Sequence, residues 1–268
     1  MKTALTIAGS DSCGGAGLQA DLKTFQALGV FGMSAVTAVT VQNTRKVYAI
    51  QEISPDIVAG QIRCLFDDIE IHAVKIGMVA SIPLIETIAR CLAEVHSPPV
   101  VLDPVMISKS GCRLLDPDAQ TALVAHLFPL AAVVTPNLHE AEALTGRKIT
   151  TVEEMQSAAE RILQLGAAKV VVKGGHLSGR ATDILFDGNR FHALDHARIA
   201  SRNTHGTGCT FAAAIAAHLA RGADFFDAVR QAKAYISGAI AHALPLGRGV
   251  GPTHHFFDLY ARAGLETD

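Results

Sequence analysis

The sequence predicts an α/β fold: a mainly parallel sheet with helices on both faces. Short β-branched runs alternate with longer amphipathic ones, and several of the short runs are apolar throughout, as strands covered on both faces must be. Polar residues or glycines follow almost every such run, where the crevice of an open α/β sheet lies. With 268 residues and 49% hydrophobic content the chain can fill one large core. No repeat, low-complexity segment or Pro/Ser-rich linker divides it, so residues 1–268 read as a single domain.

Taken in order, strands are expected at residues 4–8, 34–41, 73–76, 100–102, 132–135, 170–172 and 183–186, each rich in Val, Ile, Leu or Ala. Helical spacing of apolar residues falls between and after them at 18–28, 55–68, 82–95, 117–127, 138–144, 152–165, 210–221 and 225–243. Gly29, Gly146, Gly166 and Gly222 stand where four of these helices should stop.

Composition narrows the partners. A net charge of -2, 18% charged residues and no run of Lys or Arg argue against nucleic acid or an anionic membrane and for a small-molecule substrate. The five cysteines are scattered and form no C-x-x-C pair, which fits reduced thiols and a cytoplasmic protein. The apolar run at 4–8 is too short for a signal peptide, and no stretch approaches the ~20 apolar residues of a membrane span.

The chemistry concentrates in Gly206-Thr207-Gly208-Cys209, a turn running into an alanine-rich helical pattern. Without Cβ atoms, Gly206 and Gly208 let backbone N–H groups press against phosphate oxygens at a helix N-terminus. The same helix end would favour a Cys209 thiolate, which reads as a base for an alcohol. A packed cysteine at an ordinary helix start is the plainer alternative. Lys173 ends a buried valine strand and is followed by two glycines, where a cation would face developing phosphate charge; a lysine trailing off the strand end into solvent is the plainer alternative. Asn137 and Glu140 also fit a capping pair, a role compatible with others.

Two rival motifs fail. Gly15-Ala16-Gly17-Leu18-Gln19-Ala20 satisfies a dinucleotide fingerprint, but the following strand ends in Gln42, not in the acid that would hold a ribose. A phosphate-binding G-x-x-x-x-G-K-[ST] loop is also absent, because Arg180-Ala181 follows the glycine spacing of Gly174 and Gly179.

An ordered set of segments carries a resemblance: Ala8-Gly9-Ser10-Asp11, Gly14-Gly15-Ala16-Gly17-Leu18-Gln19-Ala20-Asp21, Val41-Gln42-Asn43-Thr44, Lys75-Ile76-Gly77-Met78, Asp103-Pro104-Val105-Met106, Thr135-Pro136-Asn137-Leu138-His139-Glu140, Val172-Lys173-Gly174-Gly175-His176 and His205-Gly206-Thr207-Gly208-Cys209-Thr210. Together they resemble the hydroxymethylpyrimidine/phosphomethylpyrimidine kinases of thiamine biosynthesis, in the ribokinase-like superfamily. The resemblance implies a ribokinase-like three-layer sandwich that transfers the γ-phosphoryl of ATP, with Mg²⁺, to a pyrimidine alcohol and then to its monophosphate. It implies Cys209 as base, Gln42, Gly9 and Met78 around the pyrimidine, and Asp103, Asn137, Glu140 and Thr207 orienting ATP and magnesium. Asp103 and Glu140 would hold the ion through water. Relatives suggest a homodimer, and pyridoxal kinase on the same fold is the alternative. A non-catalytic small-ligand binder would leave the charged set without a task.

Smaller expectations complete the reading. Lys109-Ser110-Gly111 would fold over the site, Met78 would serve equally as core filler, and Glu142 would be a solvated helix charge; Asp21 is part of the motif above, but by residue type alone it reads equally as an exposed helix charge. His254 and His255 would lie on the surface.

Overall fold

The computed structural model describes residues 1–96, 98–107, 114–115, 118–175, 177 and 181–265. The elements run β1 (Thr3–Ser10), α1 (Gly17–Ala27), β2 (Phe31–Gln42), β3 (Val47–Glu52), α2 (Pro55–Asp68), β4 (Ala73–Ile76), α3 (Ile82–Ala93), β5 (Val100–Leu102) and α4 (Ala119–Leu127), continuing with β6 (Val133–Val134), α5 (Leu138–Thr145), α6 (Val152–Gln164), β7 (Val170–Val172), β8 (Ala181–Phe186), β9 (Phe191–His196), α7 (Thr207–Ala220), α8 (Phe225–Ala241) and α9 (Phe257–Ala263). The loop at Lys109-Ser110-Gly111, the helix start at Pro117, and His176, Gly179 and Arg180 lie outside the described residues.

One sheet holds all nine described strands in the order β3-β2-β1-β4-β5-β6-β7-β8-β9. The six strands from β2 to β7 pair in parallel, and antiparallel strands extend both edges. Alternate residues of the strands feed two cores, as the period of two requires. Leu5, Ile7, Val74, Ile76, Val100 and Leu102 pack with α2, α3, α4 and α6 on one face. Ala4, Ala73, Val101, Val133 and Val171 pack with α1, α7 and α8 on the other. This is the ribokinase-like three-layer α/β arrangement.

The antiparallel strands β3 and β9 escape a reading based on apolar runs. Their residues are half-buried or exposed, because each lies at an edge of the sheet. The short helix α9 buries none of its residues. Helix α7 starts three residues before the expected Thr210, since the Thr210 N–H already donates to the Gly206 carbonyl at 2.9 Å. That correction matters, because it places Thr207, Gly208 and Cys209 in the helix's first turn.

Candidate active site

The ends of β1, β4, β5, β6 and β7 all open toward the N-terminus of α7, and a cavity of about 650 Å³ lies between them. Gly9, Gln42, Met78, Asp103, Asn137, Glu140, Lys173, Gly206, Thr207, Gly208 and Cys209 all line it. Every residue that the sequence assigned to the site therefore shares one space.

Gly206 caps α7 with φ of 79°, in the left-handed region, and a side chain there would collide with the Gly15 carbonyl oxygen. The turn is pressed against the loop after β1 closely enough to require glycine. Ten residues of α7 are buried, so tertiary packing fixes where its amide-rich end points. Gly208 faces the charges: a Cβ on it would stand 3.4 Å from Asp103 Oδ2 and 3.5 Å from Lys173 Nζ.

Lys173 Nζ donates to Asp103 Oδ1 at 2.7 Å, and the Thr135 hydroxyl donates to the same oxygen at 3.1 Å. Burial opposes the lysine's charge, but Asp103 and Glu140 outweigh it and raise its pKa, so Lys173 is a fixed cation and not a side chain trailing into solvent. Asn137 and Glu140 form the capping box of α5: the Glu140 N–H donates to Asn137 Oδ1 at 3.0 Å, and the Asn137 N–H donates to Glu140 Oε2 at 2.7 Å. Burial, with the charge of Asp103 added, pushes the Glu140 carboxyl up to about 7 against the pull of Lys173. Capping thus aims Glu140 into the cavity. Two buried carboxyl groups lining the cavity are hard oxygen donors of the kind Mg²⁺ takes.

Cys209 corrects one expectation. The sulfur faces the cavity yet sits deep among protein atoms; burial, helped by Asp21 and Asp103, outweighs Lys75 and raises the thiol to about 11. The helix end does not make it a resting thiolate.

Elsewhere in the cavity wall, Met78 packs against Gly9, its Sδ 3.2 Å from where a Gly9 Cβ would be. Gln42 closes β2 with its amide in the cavity, 3.4 Å from His205 Nε2. Met78 is buried, so its packing and lining roles coincide.

The structure also rules out the dinucleotide reading. Asp11 Oδ2 accepts the N–H groups of Gly15 at 3.1 Å and Ala16 at 2.8 Å, with His205 Nε2 at 2.8 Å. Burial alone would raise Asp11, but His205 and Cys13 outweigh it and hold the carboxyl at about 2. A permanent carboxylate already fills the amide nest that a pyrophosphate would need.

Several buried charges went unassigned in the sequence. Asp21 is fully buried and pairs with Lys75 at 2.8 Å, so it is no solvated charge. Asp183 receives Lys233 Nζ at 2.6 Å and the Gly174 N–H at 2.9 Å, anchoring the turn after Lys173. The signal was present: Asp21 shares a helix face with Leu18 and Phe25, Lys233 shares one with Val229 and Ile236, and Lys75 interrupts an apolar strand. Glu142 is half-buried and accepts the Ile149 N–H at 3.0 Å. His254 and His255 are each only 4% exposed, and His255 Nε2 lies 3.0 Å from Thr210 Oγ1, bracing α7.

Comparison with known proteins agrees with this geometry. The family described as phosphomethylpyrimidine kinase matches residues 11–254. A hydroxymethylpyrimidine/phosphomethylpyrimidine kinase of Rhizobium meliloti (strain 1021) is 54% identical over 257 residues, covering 94% of this chain and 96% of that protein. Among solved structures, the phosphomethylpyrimidine kinase of Clostridium difficile 630 superposes with a TM-score of 0.81 at 48% identity, covering 90% of this chain and all of that one. An ADP complex of Bacillus subtilis pyridoxal kinase superposes with a TM-score of 0.89 at 43% identity, covering 95% of this chain and 97% of that one. Fold and site thus define a ribokinase-like small-molecule kinase that uses ATP. The chain belongs to the phosphomethylpyrimidine kinase family.

Proposed function

We propose that this chain, as a single kinase domain, phosphorylates 4-amino-5-hydroxymethyl-2-methylpyrimidine and then its monophosphate to the diphosphate used in thiamine biosynthesis. One observation carries the reading: a single cavity joins the Gln42, Gly9 and Met78 pocket to the Lys173, Asp103 and Glu140 charges, with the first turn of α7 along its wall. The relatives named as acting on these pyrimidines support the substrate.

Each residue has a role in that transfer. The Gln42 amide offers a donor and an acceptor to the aminopyrimidine edge, while Gly9 and Met78 give the ring room. Lys173 and the amides of the Gly206-Thr207-Gly208-Cys209 turn receive negative charge as the phosphoryl group moves. Asp103 and Glu140 would hold Mg²⁺ through water, with Asn137 fixing Glu140 and Thr207 oriented toward the nucleotide. When bound, the ion supplies charge neutralisation on the phosphates. Cys209 takes the alcohol proton as its thiolate, so turnover climbs with pH while the thiol remains mostly protonated. A cytoplasmic homodimer completes the proposal, the compartment being in keeping with the scattered cysteines.

Pyridoxal kinase is the second reading, favoured by the superposition on the Bacillus subtilis enzyme. Incubating the protein with ATP, Mg²⁺ and either alcohol separates the two. The pyrimidine should give a mono- and then a diphosphate, and turnover of pyridoxal alone would overturn the assignment.

A further inference from the structure

The face of the sheet that carries α1 and α7 holds a charged pair that the transfer described above does not use. In β4, Lys75 shares the orientation of Ala73, which packs in the α1/α7 core. Its Nζ donates to Asp21 Oδ2 at 2.8 Å, and Thr6 of β1 donates to the same oxygen at 2.6 Å. Both charged side chains are 0% exposed, and Asp21 Oδ1 has no partner. Taking such a pair out of water costs free energy that its mutual attraction repays only with good geometry and further hydrogen bonds, so stability alone is a weak reason for it to be there.

Its location supplies one. Lys75 Nζ sits 2.5 Å from where a Cβ on Gly77 would stand, and Gly77 precedes Met78 in the cavity wall. Asp21 lies one turn along α1 from Gly17, whose N–H faces the Cys209 sulfur. Gly206, the cap of α7, presses on Gly15 and Ala16 just before α1. The N-termini of α1 and α7 therefore converge on Cys209, with the Lys75–Asp21 pair behind it.

We propose that Lys75 is a positioning residue for Cys209: held in place by Asp21 and Thr6, it keeps a compensating positive charge behind the sulfur so that a thiolate can form in the cavity. The charged groups around the sulfur are Lys75 on β4, Asp21 on α1, Asp103 after β5 and Lys173 after β7. Lys75 is the one that favours the ionised sulfur most, while Asp21 and Asp103 disfavour it. The role rests on Cys209 being the reactive group of the cavity and needs no particular substrate.

The test is the alkylation rate of Cys209 by iodoacetamide in the substrate-free protein, followed on the Cys209 peptide by mass spectrometry at about pH 8. A one-unit change in the thiol's pKa alters the thiolate fraction about tenfold, and the accompanying change in nucleophilicity reduces this to roughly threefold in rate. Lys75→Met should slow alkylation by roughly threefold or more, and Asp21→Asn should accelerate it by a similar factor. Both substitutions break the same buried pair, so a purely structural role moves the two rates in the same direction. That result, or no change in either, overturns the proposal. Should Lys75→Met fail to fold, Asp21→Asn decides alone: acceleration supports the role and an unchanged or slower rate refutes it. A failure of the pyrimidine assignment would leave these rates untouched, because no substrate is present.

Discussion

At the end of the cavity lined by Asp103, Glu140 and Lys173, charges are locked to one another, with Lys173 and Asp103 at 2.7 Å and Glu140 fixed by a capping box. Gly9, Gln42 and Met78, at the other end, present a bare backbone, one amide and a thioether. In the proposed transfer the first set would stabilise charge that develops in the transition state. The second would discriminate between rings by hydrogen bonding and shape. On that reading, relatives named for pyrimidines and for pyridoxal would share the charged set and differ among the residues that meet the ring.

Substitutions at the charged end should act on kcat, and the largest effect is expected at the sulfur. Cys209→Ala should lower kcat by roughly 10² to 10⁴, and wild-type kcat should rise with pH because the thiol, raised to about 11, is mostly protonated at neutrality. Steady-state rates over a pH series check both, and near-wild-type activity in the variant would remove Cys209 from the reaction. Lys173→Ala should cost about 10² to 10³ in kcat. It also leaves Asp103 and Glu140 without their cation, so a drop in Tm accompanies the loss.

At the other end, Gln42→Ala should raise the KM for the pyrimidine about tenfold while kcat changes by less than about threefold. A kcat effect as large as that of Lys173→Ala would erase the division between the two ends.

The smallest effect concerns the brace behind α7. Burial, with Lys23 and His254 nearby, lowers the His255 pKa from 6.5 to about 3. The folded state therefore binds fewer protons than the unfolded chain, and this stability is complete above about 6.5 and is lost as pH falls toward 3. By pH 5 the loss should reach about 2 kcal/mol, and His255→Gln should flatten that part of the profile in denaturant melts.

What was legible in the sequence follows the same physics. The parallel core strands announce themselves as apolar runs, and the residues just beyond them mark the cavity, so Lys173, Asp103 and Gly206 were visible as a set. Strands β3 and β9 were not, because edge strands need no continuous apolar run. Buried charges were misread for a related reason. Asp21, His254 and His255 look solvated when judged by residue type, and only the packing of α1 against β1 and β4, or of the C-terminal segment against α7, puts them inside. The raised thiol of Cys209 was also hidden, since it depends on Asp21 and Asp103, distant in sequence.

The division of the cavity is tested most directly by calorimetric titration of the hydroxymethylpyrimidine into wild type, Gln42→Ala and Lys173→Ala. Affinity should fall about tenfold in Gln42→Ala and stay within about twofold of wild type in Lys173→Ala. Equal losses in both, or a loss confined to Lys173→Ala, would place the ring among the charges and contradict the two-ended site.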